Sequence, residues 1–460
     1  MTALLPGAEL HEAPGAARAV ALPSPLRDPQ PPFRLRASMN GIAEAPGKVW
    51  FFELAAAVID ADRCVECGAC VAACPTDSIG VSADGIPELV KLCTGCGLCW
   101  DFCPRGGLRY ETTWLAEPAA TASGAGGGAT AGDGKGAGDG ATASALPARI
   151  TGGEPGPGLG RVRSAVAARV RPDSRFAAGR AQDGGVVTAV LLAALEAGAI
   201  DGAVVAREDP GERWRGVPFV ATTPEQLRSA AGSFYNQTMA LAALDLEHAG
   251  LSAGARVAVV GTPCEVQGIR ALQAHSWRRG ASRVDAVVLT IALLCTKSFD
   301  YRSLLLGELS AKRGVEIDEV GKVDIVHGRF LVEDRSGAVL VDEPVKAFHG
   351  AALKGCDECA DFLGRAADLS VGSVGSPAGW SSVLARSAAG EAALERLGSD
   401  LELAALERPE ALRKLDQHDH RVAREALARP LEPAGARFIS FDEHCAAYGA
   451  SERAPLWRGR

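Results

Sequence analysis

The chain has 460 residues, which is too long for a single hydrophobic core, so about two or three domains are expected. Hydrophobic residues make up 47% of the chain and charged residues 23%, as in ordinary globular proteins. The formal net charge of -8 argues against nucleic acid as the main partner, because phosphate binding requires a dense positive surface.

The N-terminal residues 1–45 are rich in proline and alanine and show no sustained hydrophobic period, which predicts a flexible tail. Acidic residues precede any apolar run there and a basic n-region is missing, so we expect no signal peptide. No apolar run in the chain reaches the ~20 residues of a membrane span. A cytoplasmic protein without a membrane span is therefore predicted.

Residues 46–115 form a cysteine-rich unit, followed by a Gly/Ala-rich stretch at residues 116–162. Of the thirteen cysteines, eight lie between residues 64 and 103. Clustered cysteines in a chain without an export signal indicate metal binding rather than disulfides. The Gly/Ala-rich stretch cannot build a core, so it is interpreted as a solvated linker between two folding units.

The eight clustered cysteines form two runs of the pattern C-x2-C-x2-C-x3-C-P, "CVECGACVAACP" and "CTGCGLCWDFCP". Three thiolates two residues apart can bind one face of a 4Fe-4S cube, and the fourth then ligates the neighbouring cluster. One cluster is therefore assigned to Cys64, Cys67, Cys70 and Cys103. The other cluster is assigned to Cys93, Cys96, Cys99 and Cys74.

Small residues such as Gly68 and Gly97 stand between these ligands, so the main chain can approach the cluster sulfides and donate N–H bonds to them. Zinc is the alternative, but it favours two separated C-x2-C pairs over a triple run closed by Cys-Pro. The unit resembles the bacterial two-cluster ferredoxin fold, so we expect a small α+β ferredoxin-like domain. Two adjacent clusters carry single electrons, which requires a redox partner at each end.

From residue 163 to about 450 the hydrophobic pattern is that of an α/β main domain. An apolar helix is predicted over Gly184–Gly198, followed by strands at Asp201–Ala206, "ARVAVVGT" and Val284–Cys295. Strands that alternate with helices favour a mostly parallel sheet. Short antiparallel strands with a turn at Arg335 to Gly337 and a helix-rich tail over Gly390–Ala428 complete the prediction.

Five cysteines remain outside the two runs: Cys264, Cys295, Cys356, Cys359 and Cys445. The first two follow predicted strands, so both would lie at the carboxyl edge of a parallel sheet, where open α/β folds bind ligands. Cys356 and Cys359 form a C-x2-C pair. These four cysteines could share a metal site, or they could be two core thiols and an unrelated pair. Cys445 is interpreted as an ordinary packed or free thiol.

Three stretches resemble the beta-subunit family of coenzyme F420 hydrogenases and dehydrogenases: "AQDGGVVTAVLLAALEAGAIDGAVV", "VVGTPCEVQGIRAL" and "GCDECADFLGRAADLSVGSVGSPAGWSSVLARS". The resemblance covers roughly residues 165 to 450. It implies a further 4Fe-4S cluster next to a bound FAD. Its ligands, by the same resemblance, would be Cys264, Cys295, Cys356 and Cys359.

The segment "QDGGVVT" places two glycines before a helix, where a planar ring or a phosphate can approach the main chain. A plain turn before a core helix is the alternative. The resemblance implies FAD contacts at Gln182, Asp183, Gly184, Gly185, Thr188, Ser233, Tyr235, Asn236, Gly261 and Thr262. Without a GxGxxG fingerprint after a strand, a standard NAD site is not supported.

The resemblance implies an iron–sulfur flavoprotein oxidoreductase that passes electrons between coenzyme F420 and one-electron acceptors, with a ferredoxin or another redox protein as partner. Hydride would move between F420 and FAD, and single electrons through the clusters. A ferredoxin-dependent reductase of a tetrapyrrole-type substrate is an alternative. Another is a non-catalytic electron-transfer subunit of a larger complex, and the long linker favours a mobile carrier. No catalytic residue is assigned, although His349, Lys354 and Arg365 flank the C-x2-C pair as weak candidates.

Overall fold

The computed structural model describes residues 50–82, 84–106, 158–179, 181–244, 246–252, 254–274 and 284–428. The predicted N-terminal tail, most of the predicted linker, Cys445 and the C-terminal end of the predicted main domain lie outside these residues. Within the described ranges, no helix is both long enough and apolar enough to cross a bilayer.

The cysteine-rich unit consists of short elements joined by loops that carry the cysteines. Its elements are helix α1 (Phe51–Leu54), continued by the π-helical turn Ala55–Ile59, helix α2 (Ala69–Ala73), strands β1 (Ile79–Val81) and β2 (Pro87–Leu89), and helix α3 (Leu98–Asp101). Strands β1 and β2 form an antiparallel hairpin. Trp100 is fully buried among cysteine side chains and apolar residues such as Phe51 and Leu54. The likeness of this unit to a ferredoxin remains a prediction.

The two cysteine runs repeat one main-chain conformation. Glu66 and Gly95 occupy equivalent positions and have φ angles of 50° and 69°. Gly68 and Gly97 cap helices α2 and α3 with φ angles of 77° and 74°. Glycine adopts this left-handed conformation without steric cost, whereas Glu66 is an uncommon non-glycine example. The sequence repeat is therefore also a structural repeat.

The main domain is built on an eight-stranded sheet of order β13-β3-β12-β11-β7-β6-β4-β5. Its strands are β3 (Ser164–Val170), β4 (Gly202–Glu208), β5 (Gly216–Ala221), β6 (Val257–Gly261), β7 (Val287–Leu293), β11 (Leu369–Gly372), β12 (Ser381–Ala385) and β13 (Leu401–Ala404). Strands β11, β7, β6 and β4 are parallel, and the remaining strands join antiparallel. The prediction of a mostly parallel sheet holds for these four strands, while the sheet as a whole is mixed.

Alternate residues of the parallel strands are buried on opposite faces of the sheet. Ala203 and Val205 of β4 belong to one apolar core, together with helices α4 (Val186–Glu196) and α7 (Ala388–Glu395). Val204 belongs to a second core on the other face, with helix α6 (Pro263–Ala274). Helix α5 (Pro224–Ser229) follows β5 and begins with a capping box at Thr223. Strands covered on both faces explain the continuous apolar runs in the sequence.

Most predicted elements of the main domain are confirmed, with small changes at their ends. Helix α4 ends at its C-cap Ala197, and Gly198 follows in a left-handed conformation with a φ of 60°, as predicted. The third predicted strand is shorter, because Val284–Ala286 form a 3-10 turn before β7. At its C-terminal end β7 stops at Leu293, so Cys295 lies just beyond the strand.

A separate three-stranded antiparallel sheet follows the long π-helical segment Arg302–Ala311. Its strands are β8 (Val320–Val326), β9 (Arg329–Asp334) and β10 (Val339–Pro344). The predicted turn between β9 and β10 is confirmed. The Asp334 carboxylate closes it by accepting hydrogen bonds from the N–H groups of Ser336 and Ala338.

The C-terminal part of the described chain is helical, as predicted, except for one strand. Helix α7 is followed by β13, which pairs antiparallel with β3, and then by helix α8 (Pro409–Ala428). Helix α8 packs against the 3-10 segment Lys354–Glu358, which carries the first cysteine of the C-x2-C pair. The four residues of β13 are too few to show a strand period in the sequence.

Candidate iron–sulfur and flavin site

The first cavity of the N-terminal unit brings together the cysteines predicted to share one cluster. It is lined by Cys64, Cys67, Cys70 and Cys103, together with apolar residues that include Leu54, Val58 and Val65. Its volume is about 350 Å³, including the part open to solvent. Three of these cysteines come from one run and the fourth from the other, which is the crossed arrangement that the spacing predicts.

The second cavity has the complementary composition. It is lined by Cys74, Cys93, Cys96 and Cys99, with Thr76, Ser78 and Gly97 among its other residues. Its volume is about 280 Å³ on the same measure. Cys99 lies close enough to Cys70 and Cys103 for the charges of these thiols to interact, so the two cavities are neighbours.

Main-chain N–H groups point at the sulfur atoms in both cavities. Ser78 N–H donates to Cys74 Sγ (3.2 Å), Gly95 N–H donates to Cys93 Sγ (3.4 Å) and Glu66 N–H donates to Cys64 Sγ (3.4 Å). Hydrogen bonds of this kind stabilise negative charge on sulfur. They fit ligands that work as thiolates.

Burial of these thiols makes the ionised form costly when no metal is bound. It raises the pKa of Cys67 to about 12 and also raises the pKa values of Cys70 and Cys99. A bound iron–sulfur cube supplies the positive iron that offsets this cost. Among the described residues, no three His, Cys, Asp or Glu side chains are close enough to hold a single metal ion. A cube is bound at four separate iron atoms, so its ligands stand farther apart than those of one ion.

The third set of cysteines is assembled at the carboxyl edge of the parallel strands. Strands β6 and β7 pair in parallel, with Gly261 opposite Ala292. Cys264 in the first turn of helix α6 and Cys295 just past β7 therefore lie at the same edge, as predicted. Cys295 N–H donates to the carbonyl oxygen of Phe362 (3.2 Å), which brings the segment after the C-x2-C pair to this edge.

Contacts and charges show that the four cysteines of this set are close to one another. The charges of Cys356 and Cys359 act on Cys295, and that of Cys359 acts on Cys264. The main-chain N–H of Ser298 opposes the effect of burial on the pKa of Cys356. Burial raises the pKa of Cys356 to about 11 and the pKa of Cys264 as well. These four thiols thus share burial and a raised pKa with the thiols of the N-terminal unit.

A hydrogen-bonded chain connects the two strand-end cysteines. Ser298 Oγ donates to Gln237 Oε1 (2.7 Å), and Gln237 Nε2 donates to Thr262 Oγ1 (3.0 Å). Thr262 Oγ1 lies 3.1 Å from Cys264 Sγ, and Ser298 Oγ lies 3.9 Å from Cys295 Sγ. We call Thr262, Gln237 and Ser298 the hydroxyl–amide chain. Thr262 is among the residues predicted from the sequence, whereas Gln237 and Ser298 are not.

A buried carboxylate fixes the loop that presents Cys264. Glu265 accepts hydrogen bonds from the main-chain N–H groups of Thr262 and Ala240, both at 2.6 Å. Burial raises the pKa of Glu265 to about 7, and these hydrogen bonds oppose the shift. The carboxylate thereby joins the end of β6 to the 3-10 segment Ala240–Ala243.

The N-terminal unit is docked on the main domain through a shared apolar core. Val65, Ala69 and Leu98 of the unit pack with Leu241 and Ile269 of the main domain. This contact does not favour the mobile carrier that the linker suggested. Docking brings the first cavity beside the third set, since the charge of Cys67 acts on Cys264.

Buried charges cross the same interface. Arg63 Nε and Nη2 donate to the two carboxylate oxygens of Glu358 at 2.6 and 2.7 Å. Arg105 Nε donates to the carbonyl oxygen of Gly355 (2.6 Å). None of these residues is predicted from the sequence as part of the site. The available signal was Glu358 itself, because a carboxylate between two predicted metal ligands requires a cationic partner when it is buried.

The predicted flavin residues of the Gly-Gly segment lie where β3, β12 and helix α4 meet. Gly184 N–H donates to Ser381 Oγ (3.2 Å), and a Cβ on Gly184 would lie 2.3 Å from the carbonyl oxygen of Ala168. Gly185 caps helix α4 with a φ of 70°. Close main-chain packing thus accounts for Gly184 and a left-handed main chain for Gly185, and Thr188 follows in the first turn of the helix.

Several other predicted flavin residues converge on strand β8. Gln182 Nε2 donates to the carbonyl oxygen of Val323 (3.3 Å), and the Tyr235 hydroxyl donates to Asp324 Oδ1 (3.3 Å). Burial and the charge of Asp324 raise the pKa of Asp183 to about 6. These polar groups surround one corner between the main sheet and the three-stranded sheet, with half-buried Ser233 on the adjoining segment.

Two predicted contact residues also have close contacts within the protein. The buried Asn236 side chain accepts from Gly216 N–H (2.7 Å) and donates to the Gly216 carbonyl oxygen (2.8 Å), so it holds β5. Gly261 ends β6, where a Cβ would lie 2.6 Å from Glu265 Oε2. Both residues therefore have a structural role.

The structure also shows the contacts and exposure of the three weak catalytic candidates near the C-x2-C pair. Arg365 donates to Asp416 Oδ2 (2.7 Å) in a buried ion pair, so it holds helix α8 in position. Lys354 forms an exposed ion pair with Asp62 of the N-terminal unit. His349 is exposed.

Family profiles match three consecutive parts of the chain. Two profiles describe the N-terminal and C-terminal parts of the "Coenzyme F420 hydrogenase/dehydrogenase, beta subunit", and they match residues 165–245 and 254–409 respectively. A "4Fe-4S dicluster domain" profile matches residues 57–109. Over 219 residues the chain is 38% identical to the coenzyme F420 hydrogenase subunit beta of Methanothermobacter thermautotrophicus, a match that spans 47% of this chain and 75% of that protein.

The chain belongs to the coenzyme F420 hydrogenase/dehydrogenase beta-subunit family.

The chain is also similar to other proteins, each over a different part of its length. The coenzyme F420-dependent sulfite reductase of Methanocaldococcus jannaschii is 30% identical over 348 residues, which span 73% of this chain but only 46% of that protein. A chain in the xenon-derivatized F420-reducing [NiFe] hydrogenase complex of Methanosarcina barkeri matches with a TM-score of 0.53 and 32% identity. That match covers 59% of this chain and 93% of the other. The family member is thus an oxidoreductase of the beta-subunit type with a 4Fe-4S domain.

Proposed function

We propose that the protein transfers electrons between coenzyme F420 and a one-electron acceptor, through FAD and three 4Fe-4S clusters. The observation that carries the proposal is the unbroken adjacency of the three cysteine sets. The third set at the sheet edge lies beside the first cavity, since Cys264 and Cys67 belong to one packed cluster, and the first cavity adjoins the second, since Cys70 and Cys99 belong to another. Electrons would follow this order from the main domain to the N-terminal unit.

The proposed reaction conserves electrons and protons. Reduced F420 loses a hydride and a proton, and the two electrons of the hydride leave one at a time through the clusters. Each electron reduces one acceptor, and two protons are released to solvent. When bound, FAD would supply the conversion between hydride transfer and single-electron transfer.

The residues that would hold FAD lie between the third set and strand β8. Tyr235 and Gln237 belong to one segment, which reaches strand β8 through Asp324 and the Cys264 loop through Thr262. Gln182 and Asp183 face the same corner. This segment therefore connects the polar corner with the third set, as electron transfer from a flavin to a cluster requires. The role of the protein is to hold the reacting groups at a fixed separation.

Anaerobic reconstitution and mixing with reduced F420 test the proposal. We expect about twelve irons per chain, from three clusters of four, and one FAD. Rapid bleaching of the flavin followed by cluster reduction supports the proposed direction. Cys264→Ala should remove about four irons and leave the clusters of the N-terminal unit in place. Loss of eight irons, or of none, would overturn the assignment of the third set.

A role as the electron-transfer subunit of a larger complex is supported by one observation. The matching chain from Methanosarcina barkeri belongs to a hydrogenase complex. The same mixing experiment separates the two roles. If reduced F420 bleaches the flavin of the isolated chain, the chain itself reacts with F420. If bleaching requires a partner protein, the subunit role holds.

A further inference from the structure

Arg105 is buried at the interface between the N-terminal unit and the main domain. The residue is 1% exposed. It follows the first-cavity residue Cys103 by two positions, and its Nε donates to the carbonyl oxygen of Gly355 (2.6 Å). Gly355 directly precedes Cys356 of the third set. A short route through covalent and hydrogen bonds therefore joins a thiol of the first cavity to a thiol of the third set.

The close approach depends on Gly355. A Cβ at this position would lie 2.1 Å from the carbonyl oxygen of Arg63, which is shorter than any allowed contact. The main chains of the two units thus touch at this point. A larger residue would separate the units and lengthen the route through Arg105.

The Arg105 side chain contacts the main chain on both sides of the interface. Its Nη1 donates to the carbonyl oxygen of Pro104 in the N-terminal unit (3.0 Å), and its Nε donates to the carbonyl oxygen of Gly355 in the main domain (2.6 Å). Glu358, the carboxylate at this interface, is bound by Arg63 through both oxygens. The three charged side chains Arg63, Arg105 and Glu358 together carry one net positive charge. This charge is buried next to two sets of thiols.

We propose that Arg105 is a positioning residue that joins the first and third clusters and raises the midpoint potentials of both. This inference rests on the proposed function, because it requires clusters at both sites. Reduction adds one negative charge to a cluster, and a buried cation nearby stabilises that charge strongly in a low dielectric. The hydrogen bond to Gly355 keeps the cation between the two clusters. Electron transfer across the interface then has a more favourable free energy and a short path.

The test compares three variants of the full chain after anaerobic reconstitution. Arg105→Gln removes the charge, and Arg105→Lys keeps the charge but changes the hydrogen-bond geometry. Lys354→Gln is the matched control, because it removes an exposed cation of the same interface. Iron content, cluster midpoint potentials from a redox titration followed by electron paramagnetic resonance, and the rate of cluster reduction by reduced F420 are measured for each.

We expect Arg105→Gln to retain about twelve irons while the potentials of the first and third clusters fall. At a fixed ambient potential the ratio of reduced to oxidised cluster should fall at least about tenfold, which is about 59 mV for one electron. Arg105→Lys should recover most of this shift, and Lys354→Gln should match the wild type.

Unchanged potentials in fully loaded Arg105→Gln would overturn the inference. So would an equal fall of the potentials in Lys354→Gln. If Arg105→Gln does not bind iron, the test depends on Arg105→Lys. Iron-loaded Arg105→Lys with wild-type midpoint potentials and slower cluster reduction would support the proposed role of Arg105. If neither variant binds iron, Arg105 is required for folding alone, and the inference is wrong. A wild type with only about eight irons would instead refute the proposed function itself.

Discussion

Arg63 and Glu358 are 295 positions apart in the sequence and form a buried ion pair with two hydrogen bonds of 2.6 and 2.7 Å. Arg63 directly precedes Cys64, the first cysteine of the N-terminal unit, and Glu358 lies between the two cysteines of the C-x2-C pair. The pair therefore fixes the position of one cysteine set relative to another. Arg63 also donates to the Arg105 carbonyl oxygen (2.9 Å), which ties the interface together.

Replacement of Glu358 by Gln should destabilise the protein by about 3–5 kcal/mol, because it leaves a buried guanidinium without its carboxylate. Urea unfolding followed by circular dichroism measures the loss. Asp84→Asn is the control, since Asp84 pairs with Arg302 at an exposed part of the same molecule (2.9 Å). Its cost should be about 0–1 kcal/mol. Equal costs for the two variants would contradict a special role of the buried pair.

Replacement of Gly184 by Ala should destabilise the protein even without flavin. The added Cβ would lie 2.3 Å from the Ala168 carbonyl oxygen and 2.8 Å from the Ser381 nitrogen, both main-chain atoms that cannot move easily. We expect a loss of about 1–3 kcal/mol in unfolding free energy, measured on flavin-free protein. Gly350→Ala is the control, because its Cβ would have no other described residue within 4 Å apart from its neighbours in the chain. Unchanged stability with weaker flavin binding would instead assign Gly184 to the cofactor alone.

Local sequence patterns predicted the parts of the structure that depend on local residues. The repeated cysteine runs predicted the crossed lining of the two cavities, because the geometry follows from spacing within each run. The strand pattern placed Cys264 and Cys295 at one edge, since consecutive β-α-β elements form neighbouring parallel strands. Their approach to Cys356 and Cys359 was implied only by family resemblance, because the spacing left that question open.

Features that depend on distant pairing were beyond the sequence. Strand β3 pairs with β12 and β13, which lie more than 200 positions later in the chain, and these antiparallel pairs make the sheet mixed. The docking of the N-terminal unit depends on side chains such as Arg63 and Glu358 that carry no motif. Asn236 and Gly184 are predicted cofactor contacts, and the structure also gives each a place in main-chain packing that the sequence did not predict. These contacts depend on burial and on pairing between residues that are distant in the sequence. Neither can be predicted from the local sequence.

Asp183 should make stability depend on pH in a defined window. Its pKa is raised to about 6 because burial disfavours the carboxylate and Asp324 adds a like charge, while Lys322 partly offsets both. The unfolded carboxyl has a pKa of about 3.9. A raised pKa in the folded state means that the stabilising contribution is complete below about pH 4 and is lost as pH rises through 6.

Asp183→Asn should therefore be more stable than the wild type at pH 8, by about 1–2 kcal/mol after screening at this half-buried position. Near pH 4 the difference should be close to zero. Urea unfolding at several pH values measures this, with the exposed Asp173→Asn as control. A difference that does not change with pH would show that Asp183 titrates normally.

The hydroxyl–amide chain should act on the third cluster alone. Gln237 Nε2 already donates to Thr262 Oγ1, so the Thr262 proton is available for Cys264 Sγ (3.1 Å) or Glu265 Oε2 (3.1 Å). Thr262→Val removes this donor and leaves a similar shape. We expect full iron content, an unfolding free energy lower by about 1–3 kcal/mol, and a lower midpoint potential for the third cluster only.

Thr76→Val is the matched comparison for this prediction, because the Thr76 hydroxyl lies 3.7 Å from Cys74 Sγ of the second cavity. Any effect of Thr76→Val should appear in the second cluster and leave the third unchanged. A redox titration that resolves the clusters by their magnetic resonance spectra measures both variants. If Thr262→Val shifts the clusters of the N-terminal unit as much as the third, the substitution acts through the interface, and a direct bond to Cys264 is wrong.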